Sequence, residues 1–174
     1  MKNWLMGAGV FSLVLAGCAP ATVAGGPNDP AVTLRLVNAQ GQNVGSAVLS
    51  DVENGVRVNL SVRGLPAGTH GVHFHQNGVC TPPDFTSAGP HYNPTNRQHG
   101  LENPQGPHAG DLPNMTVGAN GEGELETVKE GVSLRGTNPL LKQGGTALVV
   151  HATADDMRTD PSGNSGARIA CGVV

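Results

Sequence analysis

Charge is scarce in this chain: only 13% of its 174 residues are charged, and the formal net charge is −3. So small a negative balance offers no general attraction to nucleic acid or acidic membranes. It offers none to an anionic substrate either, so any steering of one has to be local. Nowhere does apolar periodicity support an amphipathic helix longer than a turn or two, which excludes a helical bundle. The length excludes two domains of ordinary size. Glycine and proline are abundant instead, at 26 and 13 residues. That composition suits many short strands joined by turns and long ordered loops.

Long hydrophobic runs are also missing. The longest, Leu5 to Ala16, is too short to span a membrane and has the length of a signal-peptide core, with Lys2 before it. It ends in Leu15-Ala16-Gly17-Cys18, which resembles a bacterial lipobox, where the cysteine is lipidated and the chain is cut just before it. The alternative is an ordinary secretory peptide cut a few residues later, with Cys18 discarded. The expected organisation is a lipoprotein-type signal peptide over residues 1–17, a flexible tether over 18–30 and one domain over 31–174. The expected location is the cell envelope or periplasm, with a membrane contact only through the lipid at Cys18. Cys80 and Cys171 then remain, an even count for an oxidising compartment. A disulfide between them is the simple reading, and two buried free thiols the alternative.

Strand signals recur along the domain. Val32, Leu34 and Leu36 alternate with Thr33 and Arg35, and Val56, Val58, Leu60 and Val62 alternate with Arg57, Asn59 and Ser61. Gly45 to Asp51, His70 to Gln76, Glu124 to Val128, Ala147 to Ala152 and Arg168 to Val173 are further candidates, and turn-forming residues set off the early ones. Two long segments, Asn77 to Pro113 and Thr153 to Ala167, break the pattern. Loops of that length inside a compact domain usually carry function. The expected fold is an all-β, antiparallel sandwich or flattened barrel with its chemistry on two long loops.

The seven histidines are the most informative residues. His73 and His75 lie two apart on a strand and project from one face, with Val72 and Phe74 on the other. Such a pair can start a metal site or simply line a polar face. The long loop adds His91, His99, His108 and Asp111, and three imidazoles with one carboxylate form a closed four-coordinate set suited to tetrahedral zinc. His151 follows Val149-Val150 at a strand end, just before the second loop. His70 has the wrong parity to join His73 and His75.

Together these positions resemble the Cu/Zn superoxide dismutase family. The resemblance is carried by GVHFH (Gly71 to His75), SAGPHYNP (Ser87 to Pro94), HGLENPQGPHAGDL (His99 to Leu112), LVVHATADD (Leu148 to Asp156) and GARIACGVV (Gly166 to Val174). It implies a Greek-key, eight-stranded flattened barrel. Copper falls to His73, His75, His91 and His151, and zinc to His91, His99, His108 and Asp111, with His91 bridging the two. Asp155 becomes the carboxylate linking His73 to His99, and Arg168 the guanidinium that docks the anion. Cys80 and Cys171 become the family disulfide, and His70 a structural residue bonded to backbone. The implied activity is an oxidoreductase one of antioxidant use: dismutation of superoxide to oxygen and hydrogen peroxide by a redox-cycling copper. His91 handles a proton, and zinc is structural. The resemblance leaves monomer and homodimer both open.

The chain departs from the better-known eukaryotic members in its second loop, which is short and shows Asp160-Pro161-Ser162 where they carry a lysine and glutamates. That departure predicts a measurable rate less sensitive to salt, with Arg158 the loop's own candidate for some local positive potential. Two other functions compete with the enzyme. A metal-handling lipoprotein of the same fold accounts for the ligands without turnover. A structural or adhesive sandwich leaves them unexplained.

Overall fold

The computed structural model describes Met1 and residues 31–174. The signal peptide, tether and Cys18 lipidation expected from the sequence fall, apart from Met1, outside the described residues.

Alternating sequence becomes half-buried strand. In β3 (Gly55–Val62) the four apolar side chains from Val56 to Val62 are buried, while Arg57, Asn59 and Ser61 are exposed. Beside it, β2 (Asn43–Val52) and β1 (Val32–Asn38) complete an antiparallel meander. The other strands are β4 (Gly68–His70), β5 (Val72–His75), β6 (Met115–Val117), β7 (Gly123–Glu130), β8 (Ala147–His151) and β9 (Arg168–Val173). They form one sheet in the order β4-β6-β7-β3-β2-β1-β9-β8-β5.

The two ends of that order are halves of a single bent strand. Only Gly71 separates β4 from β5; the first half pairs with β6 and the second with β8. One strand thus closes the sheet into a barrel, and counting it once leaves the eight expected. The β3–β4 and β7–β8 connections reach past their neighbours, as a Greek key requires. Among the described residues there is no α-helix and one 3₁₀ turn, Thr86–Ala88.

Two features go beyond the sequence reading. Strand β6 has three residues, too few for an alternation to be visible. A third long connection, residues 131–146, carries no part of the histidine cluster. It packs Val132, Leu134 and Leu140 into the main core, and Tyr92 Oη donates to Pro139 O at 3.1 Å.

Strand β5 is buried on both faces, and that places the site. Val72 and Phe74 enter the core with Leu148, Val150 and Ala170. His73 and His75 point the other way, on the face where Ala147, Val149 and Cys171 pack against Phe85 and Ala88 of the first long loop. The histidines are therefore outside the barrel wall and under a roof of loop. That roof is stitched to β5 by backbone: Phe74 N–H donates to Gly110 O, Tyr92 N–H to Phe74 O, and Gly110 N–H to Tyr92 O, each at 2.8 Å. A Cβ on Gly110 would sit 2.3 Å from Phe74 O, so only glycine lets the strands come this close. The Cys80–Cys171 disulfide, Cα atoms 5.7 Å apart and 91 residues apart in sequence, ties the same roof to β9.

Candidate metal centre

The six histidines and one aspartate singled out by sequence converge on one buried cluster. His73, His75, His91 and His151 bring four ligand atoms within 4.8 Å of one another, and His73, His91, His99 and Asp111 do the same. Within the first group, His75 Nε2 lies 3.3 Å from His151 Nε2. In the second, Asp111 Oδ1 faces Nδ1 of His91 and of His99 at 3.1 Å and Nδ1 of His108 at 3.3 Å. His108 thus joins that end of the cluster. His73 falls within both groups because the two are contiguous.

Four buried ring nitrogens have no hydrogen-bond partner: His73 Nδ1, His91 Nε2, His99 Nδ1 and His108 Nδ1. Unpaired buried polar atoms are rare because each loses its water for nothing, so four in one cluster call for a ligand. Elsewhere in the cluster the outward nitrogens are occupied. His73 Nε2 donates to Asp155 Oδ2 at 2.7 Å and His99 Nε2 to Asp155 Oδ1 at 3.0 Å. His75 Nδ1 donates to Gly89 O at 2.8 Å and His151 Nδ1 to Gly166 O at 3.2 Å. A ring that donates outward through one nitrogen turns the lone pair of the other inward, the usual way a protein orients imidazole ligands. The Asp155 bridge also needs Gly163, where a Cβ would lie 1.8 Å from Asp155 Oδ1. His70 stands apart, its ring nitrogens 2.8 Å from His151 O and 2.9 Å from Pro66 O, in the backbone-bonded role expected of it.

Burial keeps most of these rings neutral. Desolvation, with His91 close by, pushes His75 down to about 2. The same cause lowers His151 to about 3, His91 to about 4, and His73 as well. His99 goes the other way: burial pulls its value down, but the Asp111 and Asp155 carboxylates beside the ring outweigh that and raise it to about 9. Burial alone would raise the Asp111 carboxyl, yet His108, His91 and His99 hold it far below the carboxylate range. Asp155 is lowered by His73 and His99 against the same opposing burial.

Arg168 borders the first group. Its Nη2 donates to Gly89 O at 2.6 Å, the carbonyl that also accepts from His75, and its Nη1 donates to Phe85 O. Arg158 corrects an expectation. Its guanidinium pairs with Glu102 (Nη2 to Oε2 2.6 Å, Nε to Oε2 3.0 Å), so a carboxylate offsets the charge proposed as a local attractant. Lys129 is a residue the sequence reading missed. Its buried Nζ donates to His108 O at 3.2 Å beneath the cluster, and burial pushes the amine down. The signal was its inward parity in β7, two residues beyond Thr127, where a charged side chain is unusual.

The sequence model described as copper/zinc superoxide dismutase (SODC) matches residues 43–174. This chain belongs to the copper/zinc superoxide dismutase family. Among similar proteins, a superoxide dismutase [Cu-Zn] of Aquifex aeolicus is 42% identical over 167 residues, covering 94% of this chain and 98% of the relative. One from Caulobacter vibrioides is 41% identical, covering 77% of this chain and 79% of the relative. Of solved structures, a SOD-like protein from Bacillus subtilis matches with a TM-score of 0.78 and 42% identity, covering 81% of this chain and 96% of that one. The Cu/Zn superoxide dismutase from Brucella abortus matches with a TM-score of 0.67 and 31% identity, covering 83% and 99%. The donors fit the family's two metals. An all-imidazole group suits copper, and a three-histidine, one-carboxylate group suits closed tetrahedral zinc.

Proposed function

We propose that this chain is a copper/zinc superoxide dismutase in which His73, His75, His91 and His151 hold copper and His91, His99, His108 and Asp111 hold zinc. The observation that carries the reading is the set of four buried, unpartnered ring nitrogens, one of them His91 Nε2, in a cluster whose two ligand groups have His73 and His91 in common.

Bound copper would supply the one-electron change that turns one superoxide into oxygen and, with two protons, a second into hydrogen peroxide, while zinc, without redox chemistry, supplies charge and shape. His91 is the proton-handling residue. A neutral imidazole has one lone pair, so serving both metals requires loss of its N–H proton, which flanking dications make feasible. His91 Nδ1 faces Asp111, so Nε2 is the atom at which the ring accepts and releases a proton. Asp155 keeps the His73 and His99 rings in register by accepting from both. Arg168 docks the anion through its guanidinium, held in place by the Phe85 and Gly89 carbonyls.

The exported location belongs to the same proposal: signal peptide over 1–17, lipid on Cys18, tether over 18–30. The Cys80–Cys171 disulfide supports an oxidising compartment. The decisive experiment is superoxide disappearance by the chain from Ala19 onward, reconstituted with one copper and one zinc, beside His151→Ala. Fast turnover with near-complete loss in the variant is expected. Tight binding of both metals without turnover would sink the dismutase reading in favour of metal handling.

A further inference from the structure

We infer that Asp160 is a positioning residue for zinc, and that the second long loop, through it, acts as a clamp on the zinc end of the cluster. The inference rests on the reading of His99 and His108 as zinc ligands.

Each histidine of the cluster except His91 and His108 donates its outward nitrogen to a carbonyl or to Asp155 within 3.2 Å. His91 is the shared ring. That leaves His108, whose Nδ1 faces Asp111 and whose Nε2 lies 3.7 Å from Asp160 Oδ1. The separation exceeds a hydrogen bond, but a carboxylate at that range still favours the positive end of an N–H dipole. A dication at Nδ1 would draw charge out of the ring and make Nε2–H a stronger donor, so the contact gains weight when zinc binds. The same Oδ1 already accepts the His99 backbone N–H at 2.6 Å. One oxygen of this half-exposed side chain thus touches the backbone of one zinc residue and faces the ring of another.

The surrounding loop is built to hold that oxygen in place. Glu102 N–H donates to Met157 O at 3.0 Å, Asn103 Nδ2 to Arg158 O at 3.3 Å, and Arg158 pairs with Glu102. Residues 99–103 and 157–160 are therefore laced together directly over Asp111, whose Oδ2 accepts from Gly100 N–H at 2.9 Å. His73, His75 and His151 bond to other partners, so the influence of Asp160 is confined to one end of the cluster.

The test uses the chain loaded with copper and zinc and challenged with an excess of a zinc-binding dye, following release of each metal. Asp160→Ala should release zinc about 10- to 100-fold faster and copper within about twofold of the parent. Asp160→Asn, which keeps an acceptor for His99 N–H but loses the charge, should fall between. Cobalt(II) placed in the zinc position should show a shifted visible spectrum in Asp160→Ala and a smaller shift in Arg158→Ala, which removes one of three laces and leaves the carboxylate itself in place. Parental zinc release from Asp160→Ala overturns the inference. So does equal acceleration of both metals, or an equal effect from Arg158→Ala, since either would mark general loosening of the loop. A parent chain that takes up copper but no zinc sinks the ligand reading itself, before any variant is compared.

Discussion

The two ends of the histidine cluster are held by different means. His73, His75 and His151 sit on paired strands, where the β5–β8 ladder sets their spacing before any side chain makes a contact. His99, His108 and Asp111 sit on a loop, and their spacing comes from side-chain bonds among Asp111, Asp155 and Asp160 and from the backbone stitching at Gly110. A ladder carries geometry cooperatively, whereas a loop needs a separate anchor for each ligand. The strand end should therefore tolerate single losses that disable the loop end.

Removing the disulfide attacks the roof common to both ends and has the largest expected effect. Cys80→Ser with Cys171→Ser should lower the stability of the metal-free protein by about 4 to 5 kcal/mol on the chain-entropy model, read by denaturant unfolding. A loss below about 1 kcal/mol would mean that the roof is held by the Phe85 and Ala88 packing alone. Asp155→Asn comes next, because it is the one anchor shared by the two ends. An amide can accept from His73 or His99 but presents a donor to the other, so both metals should bind about 10- to 100-fold more weakly by competition titration. Weakening at the zinc end alone would show that the ladder orients His73 without help.

Acidification separates His99 from the other rings by sign. His91, His151 and His75 are neutral in the fold down to about 4, 3 and 2, yet take up protons in the unfolded chain near their ordinary value of about 6.5. Their contribution to the stability of the metal-free protein is complete above about 6.5 and is lost as pH falls toward 4 and below. His99, raised to about 9, contributes fully below about 6.5 and loses that contribution as pH rises through 9. Thermal unfolding of the metal-free protein should accordingly weaken on both sides of a maximum. A melting temperature constant from pH 7 to pH 4 would contradict the neutral, buried state of His75, His91 and His151. The smallest effect belongs to Arg158→Ala. Its pair with Glu102 is exposed, worth about 1 kcal/mol or less, and the salt dependence of turnover should match the parent's. Loss of a steep salt dependence in that variant would restore Arg158 as the attractant.

Much of this architecture is visible in the residues themselves. Period-two alternation marks β1 and β3, turn residues set off β2, and the His73/His75 parity assigns one face to chemistry and the other, through Val72 and Phe74, to the core. Strand β6 was not visible because three residues carry no period, and the 131–146 connection drew no notice because its buried residues follow none. Arg158 illustrates a different limit. Its charge is plain in the sequence, but what it does depends on Glu102, 56 residues away.

The sequence by itself determined which atoms could bind metal and which strands could carry them, because ligand type and strand parity are local properties. Only the tertiary structure decided which nitrogen of each ring points inward, because that depends on the acceptor behind it. Gly89 O, Gly166 O and Asp155 are brought to their rings by barrel closure and loop packing across 14 to 82 residues of chain. Such long-range partners leave no periodic trace, and so the place of Asp160 beside His99 and His108 appears only once the two loops meet.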